Sequence, residues 1–206
     1  DTLVRMNINV LFCIGGDGTL RGARDIAHEV KRRHQPISVI GIPKTIDNDL
    51  NLVDRTFGFE TAVLAACDVI TSAHCEANGA YNGLGLVKLM GRDSGFIAAD
   101  AALATTVANL CLIPEVPFEL EGEGGLFSAL ENRYAIGKTH AVMVVAEGAG
   151  QHLFKGLPER KDASGNILTY DIGDYLVEKI NEHFKTIGME INIKYFDPSY
   201  TVRSIP

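Results

Sequence analysis

Five apolar runs, each cut off by glycine, proline or a charged turn, limit what this chain can fold into. Residues 8–14 (INVLFCI) form the first and stop at Gly15-Gly16. Residues 20–33 follow, with Ala23, Ile26, Ala27 and Val30 at helical spacing. Residues 37–42 (ISVIGI) form the second run, ended by Pro43. The spacing predicts a helix over 57–72, with Phe59, Ala62, Val63, Ala66, Val69 and Ile70 on one side. A third strand over 83–89 breaks at Met90-Gly91-Arg92, and an alanine-rich helix over 94–105 follows. A strand over 109–113 is stopped by Pro114, a helix is expected over 125–137, and a strand over 141–146 ends at Glu147-Gly148. Residues 171–185 read as an amphipathic helix with Ile172, Leu176, Ile180 and Phe184 in line. The strand runs are apolar throughout rather than alternating, so they are expected to be covered on both faces. The expectation is an α/β fold: mostly parallel sheets with helices on both faces. Residues 151–169, polar with Gly156, Pro158, Gly165 and Asn166, read as a loop or mobile excursion.

At 206 residues, 46% hydrophobic and 22% charged, the chain has enough material for one large domain or two small ones. Its net charge of −7 argues against nucleic acid and anionic membranes as partners, since both are bound by clustered Lys and Arg. The basic run Lys31-Arg32-Arg33-His34 reads as the solvated end of a helix. No apolar run approaches the ~20 residues of a membrane span, and no signal-peptide pattern is present. Cys13, Cys67, Cys75 and Cys111 form no Cys-x-x-Cys pair and read as small core residues of a reduced, cytoplasmic protein. The six histidines lack metal-ligand spacing and read as surface or local hydrogen-bonding residues.

In open α/β sheets ligands bind beyond the C-terminal ends of strands. Four polar segments fall at such ends. Gly15-Gly16-Asp17-Gly18-Thr19 lies between a strand and a helix. Its glycines let backbone approach phosphate oxygens, and a helix N-terminus favours an anion. Asp17 is a candidate Mg²⁺ ligand, and Thr19 a candidate N-cap or phosphate contact. Pro43-Lys44-Thr45-Ile46-Asp47-Asn48-Asp49 follows the next strand. In an extended stretch Thr45, Asp47 and Asp49 point to one side, and two carboxylates together need compensation. Asp47 is the candidate general base for a hydroxyl acceptor. Met90-Gly91-Arg92 sets a guanidinium at a strand end, where its fork suits phosphate. Glu147 suits sugar hydroxyls, and Arg203 is a second phosphate-ligand candidate. Lys88 lies inside an apolar strand, which is costly unless its ammonium reaches water or an anion. Together these residues point to phosphoryl transfer.

The chain resembles a phosphofructokinase. Gly15–Thr19, Pro43–Asp49, Met90–Arg92 and Glu147 match that family's motifs in order and placement. The first loop is shared with lipid and NAD kinases; the Thr-Ile-Asp-Asn-Asp and Met-Gly-Arg motifs single the family out. The resemblance implies phosphorylation of the 1-hydroxyl of fructose 6-phosphate. It makes Asp47 the proton acceptor and gives Asp17 to Mg²⁺. It implies that Thr45, Met90, Gly91, Arg92 and Glu147, with Tyr200 and Arg203 later, contact the sugar phosphate; Asp49 joins them as a substrate-side residue, and Thr45 and Arg92 join Asp47 in catalysis. Gly15, Gly16, Asp17, Gly18, Thr19 and Lys44 would hold the donor. Gly18 resembles the ATP-dependent enzymes, where it leaves room for the α-phosphate. Lys44 resembles the pyrophosphate-dependent ones, where a lysine neutralises a compact donor. The plant and trypanosome ATP enzymes combine both features, so ATP is the expected donor and pyrophosphate the alternative. The resemblance implies a homo-oligomer and a two-lobed architecture. Residues 1–60 then belong to the donor-binding lobe and 61–206 to the sugar-phosphate lobe. The family's core is longer than 206 residues, so the chain reads as a central segment, truncated at both ends and inactive by itself. Two further readings are an NAD- or lipid-kinase relative, which Asp47 and Asp49 after Thr45 disfavour, and a binding-only module.

Overall fold

The computed structural model describes residues 1–158, 160–161 and 167–205. The chain divides into two compact units, Asp1–Phe59 and Glu60–Pro206.

The first unit contains α1 (Thr2–Arg5), β1 (Val10–Gly15), α2 (Asp17–Arg32), β2 (Ser38–Thr45) and β3 (Phe57–Gly58). The strands form one parallel sheet in the order β1-β2-β3, with Gly15 opposite Pro43. Helix α2 packs on one face: its Leu20 lies so close to Gly41 that a Cβ there would stand 2.8 Å from Leu20 Cδ2. It stops where His34 takes φ 49° and the Gln35 amide donates to the Val30 carbonyl at 3.1 Å, a left-handed helix end. The opposite face departs from the sequence expectation. Val10, Phe12 and Ile14 of β1 and Ile40 of β2 are 41–60% exposed. The apolar run does report a strand with two apolar faces, but α2 covers only one of them within this unit.

The second unit carries α3 (Phe59–Asn78), β4 (Gly83–Leu89), α4 (Phe96–Thr105), β5 (Leu110–Leu112), α5 (Leu126–Ala135) and β6 (His140–Ala146). After a 3₁₀ turn at Gln151–Phe154 come β7 (Arg160–Lys161), β8 (Ile167–Leu168), α6 (Ile172–Thr186), β9 (Asn192–Phe196) and α7 (Ser199–Arg203). A parallel sheet runs β5-β6-β4-β9, with Leu89 opposite Ala146 and Val87 opposite Phe196. Every residue of β4 is buried, as are Ala141 to Ala146 of β6. On one face Leu84, Leu86, Met143 and Val145 pack with Leu130 of α5 and with Ile172, Leu176, Ile180 and Phe184 of α6. On the other lies α3, so close that a Cβ at Gly85 would stand 2.7 Å from the Ala73 carbonyl oxygen. Helix α4 lies against α3, with Cys67 Sγ 4.0 Å from the Ala101 carbonyl. Here helices do cover both faces. Asp171 caps α6 through the Gly173 and Asp174 amides.

Further expectations change. Strand β9 and helix α7 are absent from the sequence reading, because β9 is a half-buried edge strand whose polar residues mask the apolar pattern. The expected irregular stretch over 151–169 contains a 3₁₀ turn and the antiparallel β7–β8 pair; its residues 159 and 162–166, like Pro206, lie outside the described residues. The cysteines are not core residues: Cys75 and Cys111 are exposed and Cys13 and Cys67 half-buried. Among the histidines, His152 and His183 bond to groups far away in sequence, the Phe118 carbonyl at 2.9 Å and Glu131 at 2.5 Å, and His74 buries Nδ1 without a hydrogen-bond partner and meets His140 edge-on at 4.9 Å. No helix among the described residues is long and apolar enough to cross a membrane.

The α3–β4 contact is backbone against backbone and has no flexible side chain to yield. Gly85→Ala is therefore expected to lower stability by about 1–3 kcal/mol, read as a lower urea midpoint. An unchanged midpoint would mean that α3 can move aside freely.

Candidate active site

All four polar segments sit at C-terminal strand ends: Gly15 ends β1, Thr45 ends β2, Met90 follows β4 and Glu147 follows β6. In the first unit the pairing of β1 with β2 brings two of them together, since a Cβ at Gly16 would stand 3.7 Å from Thr45 Cβ. Helix α2 begins inside the glycine motif, at Asp17, three residues earlier than the apolar spacing indicates. Thr19 is consequently not the N-cap. Gly16 holds that position, and no side chain caps the helix. Thr19 folds back instead, so that a Cβ at Gly15 would clash with its Oγ1 at 2.4 Å. A Cβ at Gly18 would meet nothing within 4 Å. The packing of this unit does not require glycine there, in the first turn of a helix where glycine is a poor helix former.

Asp17 is half-buried and paired with Arg21 one turn along α2. Among the described residues no group of three or more His, Cys, Asp or Glu could hold a metal ion by itself. A single half-buried carboxylate at an uncapped helix start fits Mg²⁺ in its substrate-bound mode, in which one or two carboxylates act together with phosphate oxygens and water. In that mode Asp17 would turn from Arg21 to the ion.

The stretch after β2 is not extended. The chain bends at Ile46 and Asp47, and Asn48 takes φ 55°. The alternation expected to align Thr45, Asp47 and Asp49 therefore stops at Thr45. Asp47 turns back onto Thr45: its amide donates to Thr45 Oγ1 at 3.2 Å, and that hydroxyl donates to Asp47 Oδ2 at 3.3 Å. Asn48 fixes the bend, donating to the Asp54 carbonyl at 3.2 Å and accepting the Thr56 amide at 2.8 Å. Thr56 in turn donates to the Thr45 carbonyl at 2.7 Å. Lys44 and Asp49 are exposed and Asp47 half-buried.

In the second unit, α4 follows β4 on the α3 side of the sheet and α6 follows β6 on the other. The chain thus leaves these neighbouring strands toward opposite faces, the arrangement in which α/β sheets bind ligands beyond their strand ends. Met90-Gly91-Arg92 and Glu147 stand there together. Gly91 has φ 145° and Arg92 φ 49°. This strained turn is clamped by Glu147, whose Oε1 accepts the Gly91 amide at 3.2 Å and the Arg92 amide at 2.8 Å. Gly148 presses on it from behind, where a Cβ would stand 1.9 Å from the Arg92 carbonyl oxygen. The Arg92 residue is exposed. Tyr200 and Arg203 lie on α7 beyond β9, at the same end of the sheet but across β4 from Glu147. The Arg203 guanidinium stands 5.8 Å from the centre of the Tyr200 ring.

Lys88 solves its burial with two carboxylates. Its Nζ lies 2.6 Å from Asp171 Oδ2 and 2.9 Å from Asp197 Oδ2. Sequence reasoning missed both partners, although a lysine within an apolar strand signals that such partners exist. Burial alone would push the ammonium down; the two carboxylates outweigh it and hold Lys88 above its ordinary value. Burial likewise pushes the carboxyls up, but Lys88 and the α6 amides hold Asp171 below its ordinary value, and Ser199 with Lys88 does so for Asp197. The neighbouring Tyr195 phenol is pushed up to about 12, chiefly by burial.

Residues 1–204 match the family described as phosphofructokinase. The ATP-dependent 6-phosphofructokinase of Borreliella burgdorferi is 53% identical over 211 residues, covering 100% of this chain and 47% of that protein. ATP-dependent 6-phosphofructokinase 7 of Arabidopsis thaliana is 50% identical over 208 residues, covering 100% of this chain and 43% of the relative. The chain thus spans about half the length of the curated relatives it matches. Among solved structures, the pyrophosphate-dependent phosphofructokinase from Marinobacter aquaeolei superposes with a TM-score of 0.72, covering 98% of this chain and 47% of that one. At 22% identity the likeness is one of fold.

The Lys88 cluster sets a pH dependence. Asp171 and Asp197 have folded pKa values below their unfolded values of about 4. Their share of stability is present above about pH 4 and is lost as pH falls through the folded values. Lys88 has a raised folded value, so its share is present below about pH 10 and lost only as pH rises further. The melting temperature of Asp197→Asn is expected to fall less steeply below pH 4 than that of the parent. An equally steep acid limb would contradict this.

Proposed function

The chain belongs to the phosphofructokinase family, and on that premise we propose that this protein is an ATP-dependent 6-phosphofructokinase, converting fructose 6-phosphate to fructose 1,6-bisphosphate. The observation that carries the reading is 53% identity, across the whole of this chain, to a relative named for that activity. Residues 1–60 would bind the donor and 61–206 the sugar phosphate.

Asp47 takes the proton from the 1-hydroxyl of the sugar as that oxygen bonds to the γ-phosphorus. The bond from the γ-phosphorus to the bridging oxygen breaks, and ADP leaves with the electron pair. The Thr45 hydroxyl, bonded to Asp47, holds the carboxylate in place. The uncapped start of α2 offers amides to the donor phosphates, with Gly15, Gly16, Gly18 and Thr19 shaping the approach. Mg²⁺ held by Asp17 and those phosphates would offset charge on the group in transfer. Arg92, with Tyr200 and Arg203, holds the sugar phosphate and offsets its charge, while Glu147 holds the Met90–Arg92 turn and Asp49 lines the substrate side. The open space at Gly18 supports ATP over pyrophosphate: it can admit an α-phosphate that an aspartate there would repel. Exposed Lys44 is the feature that favours pyrophosphate. The same premise implies a homo-oligomer, which sedimentation tests; a cytoplasmic location is the expectation from four unpaired cysteines, which cell fractionation tests.

Fructose 6-phosphate phosphorylation by the full-length protein with Mg²⁺ is expected with ATP and not with pyrophosphate. Activity with pyrophosphate alone would reverse the donor assignment, and inactivity with both would reject the function. Asp47→Ala is expected to lower kcat by about 10²–10⁴ while sugar-phosphate binding persists; unchanged turnover would remove Asp47 from its role. Gly18→Asp should impair ATP use far more than any residual pyrophosphate use. Equal loss would contradict the steric argument.

A further inference from the structure

Helix α7 has little to hold it in place. It is five residues long, too short to be stable by itself, and among its residues Val202 is the buried one, at 2% exposure. Tyr200 is 79% exposed. Besides Val202 and the buried N-cap Pro198, the segment is held by Asp197, at the junction of β9 and α7. Its Oδ1 accepts the Ser199 amide at 3.2 Å and the Ser199 hydroxyl. Its Oδ2 meets Lys88 Nζ at 2.9 Å. The Pro198 carbonyl then accepts the Val202 amide at 2.9 Å and the Thr201 hydroxyl at 2.8 Å. Lys88 belongs to the buried central strand β4, two residues before Met90, and its residue exposure is 8%. One ammonium therefore ties three segments at the same sheet end: the strand leading to Met90–Arg92, the capped start of α6 at Asp171, and the turn into α7.

Stability alone gives little reason for such an arrangement. Lys88 is buried, but both carboxylates keep more than a third of their side-chain surface in solvent, which screens each pair and limits what it adds to stability. A directional contact does what an apolar one cannot, which is to fix the orientation of a short, exposed helix. We propose that Lys88 is a positioning residue for sugar-phosphate recognition: through Asp197 it sets α7, and with it Tyr200 and Arg203, against the Met90-Gly91-Arg92 turn. This rests on the proposed function. Lys88 acts through Asp197 and not on the reacting atoms.

Steady-state kinetics of the full-length protein, with melting temperatures alongside, test the inference. Asp197→Asn and Lys88→Met are both expected to raise KM for fructose 6-phosphate by about 10- to 100-fold, the scale of a small misplacement of binding groups. Both should leave kcat and KM for ATP within about threefold, because a uniform binding contribution is lost. Asp171→Asn removes the charge that Lys88 meets at the start of α6 and keeps the Oδ1 that accepts the Gly173 and Asp174 amides and, at 3.4 Å, the Tyr195 hydroxyl of β9; it should lower the melting temperature and leave KM for fructose 6-phosphate unmoved. If Asp197→Asn lowers the melting temperature without moving that KM, the cluster is structural and the inference fails. A collapse of kcat, or an equal rise in both KM values, also overturns it. A parent protein inactive on fructose 6-phosphate rejects the proposed function and the inference with it, whereas an active parent with unmoved variants rejects the inference alone.

Discussion

The parallel pairing of β4 with β6 is the constraint on which the second unit depends. Both strands are buried along nearly their whole length, so their backbone groups have no water to turn to and must pair with each other. The register puts Leu89 opposite Ala146 and therefore Met90 next to Glu147. From that point the backbone geometry leaves little freedom. Glu147 accepts two amides of the turn beyond β4, and Gly148 is packed against the Arg92 carbonyl. Glycine takes a positive φ freely at 91, whereas the positive φ of Arg92 is strain that these contacts sustain. The core thus delivers a guanidinium to the C-terminal end of the sheet on a turn that is held from two sides.

The same economy of backbone operates in the first unit through different chemistry. There the pairing of β1 with β2 sets the glycine motif beside Thr45, and Asn48 folds the following loop back on itself. The start of α2 has no side-chain cap, and Gly18 faces open space. A helix start left uncapped, with a glycine that packing does not require, is unfavourable for stability and useful for a phosphate donor. The exposed apolar residues of β1, β2 and β3 (Val10, Phe12, Ile14, Ile40 and Phe57) are where this unit departs from a closed α/β layer.

Much of this was legible in the sequence. The five apolar runs located the strands β1, β2, β4, β5 and β6, because unbroken apolar character is a strong signal for buried parallel strands. The motifs at their ends were placed correctly for the same reason. The losses were local. Periodicity could not show that α2 starts at Asp17, since Gly18 and Thr19 carry no apolar pattern. It could not show the left-handed bend at Asn48 that breaks the alternation of Thr45, Asp47 and Asp49. Strand β9 was missed because an edge strand with Asn192 and Lys194 has no clean period. Lys88 was recognised as costly, but Asp171 and Asp197 lie 83 and 109 residues away in the chain, and only the fold joins them.

The central claim is that phosphate ligands meet this chain at its C-terminal strand ends. Amide hydrogen exchange of the full-length protein, with and without ligand, tests it most directly. The account predicts that fructose 6-phosphate slows exchange in residues 90–95, 147–150 and 197–203, and that Mg²⁺ with ATP slows it in residues 15–19. Protection confined to other segments, or none with either ligand, would contradict it.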